Sequence, residues 1–128
     1  MLDPEVRRVL DGTSIAHLAT VLPDGAPHVV PVWVGTYDGD RIVFLTGPGS
    51  RKARNVARDP RVALSIAPAD DPFTPVVVRG RVVERIEGDA AWEIIDTLAA
   101  KYVGAPYPRE VDRVVFVIEP GRQRVGVG

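Results

Sequence analysis

Ser50, Arg51, Lys52 and Asn55 stand directly after a Gly47-Pro48-Gly49 turn, in the run Leu45-Thr46-Gly47-Pro48-Gly49-Ser50-Arg51-Lys52-Ala53-Arg54-Asn55. Ser50 is a good N-cap, because its hydroxyl accepts from the free N–H groups of a helix's first turn. Arg51 and Lys52 then place two cations at the positive end of the helix dipole, where carboxylates are normally favoured. Free N–H donors, a hydroxyl and two cations are the ingredients of an anion site, most simply for a phosphate. The plain alternative is a solvated basic turn that tolerates roughly a few tenths of a kcal/mol of dipole repulsion. On local chemistry the two readings are evenly matched.

Further basic residues could enlarge such a site. Lys52 and Asn55 lie three apart and so share a helix face, while Arg51, Arg54 and Arg58 fan around the same short helix. Arg79 and Arg81 point to one side of a strand, because they are two apart. Singly, each is an ordinary solvated charge. Together they would line a basic groove for a ligand with more than one negative charge.

Other chemistries are excluded or unsupported. The chain has no cysteine, which removes disulfides, thiol catalysis and Cys-based metal sites. His17 and His28 sit at opposite ends of an expected hairpin and read as ordinary strand residues rather than an acid–base pair. No carboxylate has the spacing to complete a metal site with them, so no metal is expected. There is no Gly-x-Ser-x-Gly elbow, Walker loop, His-Glu-x-x-His or Rossmann fingerprint, and no catalytic residue is named. If the protein is an enzyme, a cofactor carries its chemistry. Sixteen basic and seventeen acidic residues give a net charge of −1, so no global field draws the chain to nucleic acid or to membranes. The start Met1-Leu2-Asp3-Pro4-Glu5 has no signal character, and no apolar run approaches the ~20 residues of a membrane helix. A cytoplasmic protein is expected.

The 128 residues are expected to form one domain, residues 1–128. Asp3-Pro4-Glu5 opens a short helix with Val6, Val9 and Leu10 on one face, ending near Gly12. Strands are expected at Ile15 to Val21, His28 to Val34 and Ile42 to Thr46, joined by turns at Pro23-Asp24-Gly25 and Asp38-Gly39 into a meander. The cationic helix from Ser50 to Arg58 follows and is stopped by Asp59-Pro60. Val62 to Ala67 and Val76 to Glu84 are the next strands, with Gly80 marking a bulge or close backbone approach. Asp89 caps a longer helix whose Ala91, Ile94, Ile95, Leu98 and Tyr102 keep helical spacing. Val114 to Ile118 and Arg124 to Val127 are the last strands. Such a chain is mainly β with helical inserts, a small antiparallel barrel. Val29-Val30-Pro31-Val32-Trp33-Val34 does not alternate apolar with polar, and a strand apolar on both faces is covered on both faces. A second copy of the chain is the expected cover, which makes a homodimer. Pro31 cannot donate to a ladder and so marks an edge or bulge, either a barrel rim or backbone left free for a ligand. Trp33 and Trp92 read as core or interface rather than stacking platforms.

The run Ala19 to Trp33, with its Leu22-Pro23-Asp24-Gly25 turn, followed by Thr46 to Asn55 and Asp59-Pro60-Arg61-Val62-Ala63-Leu64, resembles the pyridoxamine 5'-phosphate oxidase-like split β-barrel superfamily. Within it the chain most resembles the short deazaflavin (coenzyme F420)-dependent oxidoreductases. The resemblance spans nearly the whole chain.

It implies a homodimeric split β-barrel, FMN-binding-like, with a flavin-type cofactor at each end of the dimer interface. The cofactor-binding residues it implies are Val29, Val30, Pro31 and Val32 along the ring, with Leu45 and Thr46 beside them. Ser50, Arg51, Lys52 and Asn55 would hold the phosphate, and Arg79 matches a cofactor-proximal position. The implied reaction is hydride transfer between reduced F420 and an electron-poor small-molecule acceptor; surplus arginines would meet the oligoglutamate tail of F420. FMN is the alternative cofactor, and a non-catalytic flavin- or tetrapyrrole-binding protein is the alternative function. Vitamin B6 oxidases of the superfamily carry an Arg-containing C-terminal substrate motif. This chain ends instead in Gly121-Arg122-Gln123-Arg124-Val125-Gly126-Val127-Gly128, which counts against pyridoxamine phosphate as substrate.

Overall fold

The computed structural model describes residues 1–127; Gly128 lies outside the described residues. The elements run α1 (Pro4–Asp11), β1 (Ala16–Val21), β2 (Pro27–Val32), β3 (Val34–Tyr37), β4 (Arg41–Thr46), α2 (Arg51–Arg58), β5 (Arg61–Ile66), β6 (Val76–Ile86), α3 (Gly88–Val103) and β7 (Val114–Val125). All seven strands form one antiparallel sheet in the order β2-β1-β5-β6-β7-β4-β3. Its two margins, β2 and β3, are separated in sequence only by Trp33. A sheet whose opposite edges are one residue apart must curl until they nearly meet, so it becomes a barrel split along one seam.

Both local ends of the cationic helix form as expected. Ser50 caps α2 by accepting from the Ala53 N–H, and Asp59 follows its last turn. Likewise Asp3 caps α1 by accepting from the Glu5 N–H. The β3–β4 hairpin turns through the three residues Asp38, Gly39 and Asp40, the first two at positive φ (49° and 80°), as a tight reversal between twisted strands favours. Gly80 stands at a register shift, where an added Cβ would lie 2.6 Å from the Glu119 carbonyl oxygen. The expected close approach is therefore between β6 and β7.

Four expectations are corrected. His28 to Val34 is not one strand, and the first three strands are not a meander: the chain leaves the β2 edge at Trp33 and re-enters the sheet at the other edge. The residues expected as separate strands at 114–118 and 124–127 belong to one long β7 that ends at Val125. Finally, α3 begins at Gly88 with Glu87 at its N-cap, which leaves Asp89 in the first turn as a charge complementing the helix dipole.

The core has two parts. Inside the curl, Leu18, Val34, Phe44, Leu64, Val78 and Phe116 pack with Val6 and Leu10 of α1 and Val56 of α2. On the outer face, α3 lays Ala91, Ile95 and Leu98 over Val43, Val115 and Val117. Strands β4 and β7 are thus apolar on both faces and covered on both within the one chain. The outer face of β2, β1, β5 and β6 has no such cover. Val29 is 59% exposed there, and Pro27 and Pro31 beside it are also exposed.

Candidate functional site

At the seam the barrel opens into a groove of about 460 Å³. Pro31, Val32 and Trp33 form the seam side, and Leu45, Thr46 and Gly47 enter from the end of β4. Ile15 adds apolar surface before β1, and Tyr107 and Arg113 arrive from the connection between α3 and β7. Lys52, in the first turn of α2, completes the lining.

The geometry of the turn follows from its hydroxyls. The Thr46 and Ser50 side chains share a 2.8 Å hydrogen bond, and the Ser50 N–H donates to the Gly47 carbonyl at 3.1 Å. These bonds fold the chain sharply from β4 into α2 and leave Lys52 beside the groove. From the other side, the inward face of α2 is anchored on β1. Asn55 is completely buried and donates from Nδ2 to Thr20 Oγ1 at 3.0 Å, and Arg58 donates to the Val21 carbonyl.

Two cations meet in this groove without a carboxylate. Arg113 donates from Nε to the Tyr107 hydroxyl at 3.1 Å and from Nη1 to the Asp112 carbonyl at 2.7 Å. Neither Arg113 nor Lys52 takes part in any ion pair among the described residues. Burial, and secondarily the positive Arg113, push the Lys52 ammonium below the ordinary lysine value of 10.5. Two half-buried cations without ion pairs line an otherwise apolar groove, an arrangement that can hold an anionic group attached to an apolar body.

A pH dependence follows. A lysine whose folded-state pKa is depressed loses its charge at lower pH than an unfolded one, and a bound anion would restore the charge. Affinity for an anionic ligand therefore falls as pH rises through the depressed value, before the ordinary 10.5. Dissociation constants measured from pH 7 to 10 should show this loss, and Lys52→Arg should flatten it.

The connection that supplies Tyr107 and Arg113 is clasped to α3. Arg109 donates to both Asp96 oxygens at 3.0 and 2.7 Å, and the Tyr107 N–H donates to Asp96 at 3.1 Å. The Arg109 guanidinium lies 4.0 Å from the centre of the Trp92 ring. Hydrogen bonding from Arg109 holds the Asp96 carboxyl below the usual range.

Of the residues singled out in the sequence, the structure brings Pro31, Val32, Leu45, Thr46 and Lys52 together in the groove. Val30 packs on the core, and Val29 faces outward. Ser50 uses its hydroxyl on the helix cap, whereas Arg51 does not line the groove and Asn55 points inward to Thr20. Lys52 and Asn55 therefore do not offer a ligand one shared face. Arg79 stays on the outer face of β6, away from this groove within one chain. The two histidines do not pair, since His17 lies opposite Pro31 and His28 opposite Thr20 in the β1–β2 ladder. No cluster of three potential metal ligands occurs among the described residues. Nor does any helix among them have the length and apolarity to cross a membrane.

Trp33, expected as core or interface, packs against the outer part of the core and also forms a wall of the groove. Its ring is stacked on Tyr102 at 5.1 Å and meets Tyr107 edge-on at 6.0 Å. Tyr107 and Arg113 are not among the expected cofactor-binding residues, although Tyr107 falls in the loop Gly104 to Pro108, which the sequence leaves open to shaping a substrate pocket. Both lie in a connection without periodicity, and no local signal marks them.

A family model described as "Pyridoxamine 5'-phosphate oxidase" matches residues 2–125. An FMN-binding protein of Nitratidesulfovibrio vulgaris (strain Miyazaki F) is 33% identical over 96 residues, covering 69% of this chain and 78% of that protein. A pyridoxine/pyridoxamine 5'-phosphate oxidase of Rubrobacter xylanophilus is 45% identical over 47 residues, which is 37% of this chain but only 22% of that enzyme. Among solved structures, an F420 reductase superposes with a TM-score of 0.83 at 30% identity, covering 96% of this chain and 98% of that one.

Proposed function

This chain belongs to the pyridoxamine 5'-phosphate oxidase family, and from that premise we propose that it is an oxidoreductase whose seam groove holds reduced coenzyme F420. The observation that carries the reading is the pair of cations, Lys52 and Arg113, that line an apolar groove without a counter-charge. The donor set fits such a cofactor: two cations for a phosphate, and Pro31, Val32, Leu45 and Trp33 for an apolar ring. When bound, the cofactor supplies hydride transfer to an electron-poor organic acceptor. The chain's own residues do the rest. Lys52 and Arg113 hold the phosphate, Pro31 and Val32 set the plane of the ring, and Trp33 and Tyr107 keep water from that side.

The likeness to an F420 reductase over 98% of its length favours F420, and the FMN-binding relative makes FMN the second reading. Arg54 is exposed on α2 and is a natural partner for the oligoglutamate tail that F420 has and FMN lacks. The site is completed by a second copy of the chain. Its bare face, with Val29, Pro27 and Pro31, is the dimer surface, and Arg79 on that face reaches a groove only from the neighbouring copy.

The test is a titration of the purified protein with F420 and with FMN, following the fluorescence of Trp33 in a Trp92→Phe background. Tight F420 binding and weak FMN binding are expected. The reverse result moves the protein to FMN, and binding of neither removes the oxidoreductase reading. Binding without oxidation of the reduced cofactor by a panel of acceptors would make it a carrier instead.

A further inference from the structure

Trp33 occupies an exceptional place: it is the single residue that joins the two margins of the sheet, and it also lines the groove. Neither neighbouring strand fixes it, since β2 has ended and β3 has not begun. What holds this point of the chain comes from the C-terminal turn of α3. The Tyr102 hydroxyl accepts from the Val34 N–H at 3.2 Å and donates to the Ser14 carbonyl at 3.0 Å. Lys101 donates from Nζ to the Val34 carbonyl at 2.5 Å and to the Leu10 carbonyl at 2.8 Å. Both polar groups of Val34 are thus taken by adjacent residues of one helix turn. The Tyr102 ring then lies parallel to the Trp33 indole, at 5.1 Å and 4°.

We infer that Tyr102 is a positioning residue for the ring-binding end of the groove: it acts through Trp33, fixing the indole as a rigid wall against which the planar part of a ligand is recognised. The inference rests on the function proposed above. An indole free to rotate about its side-chain bonds would lose that freedom on binding, whereas one already stacked has lost it in the free protein. The division of labour is spatial. Lys52 and Arg113 recognise the anionic end, and the Tyr102–Trp33 stack recognises the ring.

Two variants in the Trp92→Phe background separate positioning from folding. Tyr102→Phe keeps the stacked ring and loses the hydroxyl, so it should lower Tm while leaving Trp33 shielded from acrylamide. Tyr102→Leu removes the stack, so acrylamide quenching of Trp33 should rise. The binding probes are FMN with riboflavin, and F420 with its phosphate-free riboside. Tyr102→Leu should weaken both members of the pair that binds, by the same factor of roughly ten. Tyr102→Phe should stay within about threefold of the parent, a rescue that a purely structural role of the hydroxyl would not give. The inference is overturned if Tyr102→Leu leaves quenching unchanged, if it weakens only the phosphorylated probe, or if the two variants lose ring affinity equally. Should Tyr102→Leu not fold, loss of ring affinity by a folded Tyr102→Phe that keeps Trp33 shielded overturns it, and retention supports it. Failure of the parent to bind any of the four probes removes the proposed function and this inference together, whereas binding by the parent with an unaltered Tyr102→Leu removes the inference alone.

Discussion

Alanine in place of Lys52 is expected to weaken cofactor binding by roughly 10- to 150-fold, because a hydrogen bond to a charged group contributes about 1.5–3 kcal/mol. Arg113→Ala should cost a comparable amount. The double variant should lose less than the sum of the two. In the free protein burial, and secondarily repulsion from Arg113, depresses the Lys52 pKa, and a bound anion relieves that repulsion. Each single variant forfeits the relief, and the double variant can forfeit it only once. Lys52→Ala should leave the affinity of a phosphate-free ligand nearly unchanged and should not lower Tm, since a half-buried lysine without a counter-charge does not stabilise the fold. Isothermal titration with the phosphorylated and phosphate-free forms measures all four corners of this cycle. Wild-type affinity in Lys52→Ala would remove the phosphate assignment.

Glutamate at Val29 is the second substitution with a large expected effect. Val29 lies on the uncovered face of β2, opposite Ala19, and does not itself line the groove. In a single chain the change is harmless, because the side chain already faces solvent. In a face-to-face dimer it places an unpaired carboxylate in an apolar contact, at a cost of roughly 3 kcal/mol or more. That is over a hundredfold in the dimer dissociation constant. Sedimentation should show a monomer, and cofactor affinity should fall with it because Arg79 of the second copy is then missing. A dimeric Val29→Glu protein with wild-type affinity would contradict both the interface and the assignment of Arg79.

Local signals gave most of the elements their place in the sequence. Ser50, Asp3 and the Asp38-Gly39 pair act through bonds within a few residues, so their caps and turn could be read directly. The seam could not. Val32-Trp33-Val34 contains no turn residue, and the bonds that hold Val34 at the new edge come from Tyr102 and Lys101, far along the chain. The strand expected to end at Ile118 instead continues as β7 through Pro120-Gly121, where Gly80 on β6 leaves room for the opposing backbone. The site divides in the same way. Lys52 announces itself by a charge at the wrong end of a dipole, whereas Arg113 becomes visible only when the barrel closes and carries it beside Gly47.

The two margins of the sheet carry a last consequence, for solubility. An open strand edge ordinarily invites a foreign strand and, through it, fibrous growth. On β2, Pro27 and Pro31 cannot donate to β1, so their nitrogens face the free edge, where Val29 is left as the lone donor of the three. On β3, the Val34 amide and carbonyl are already occupied by Tyr102 and Lys101. Each border is therefore poor in the free donors that a template needs, so strand addition at either edge, and the growing ribbon it would start, is disfavoured.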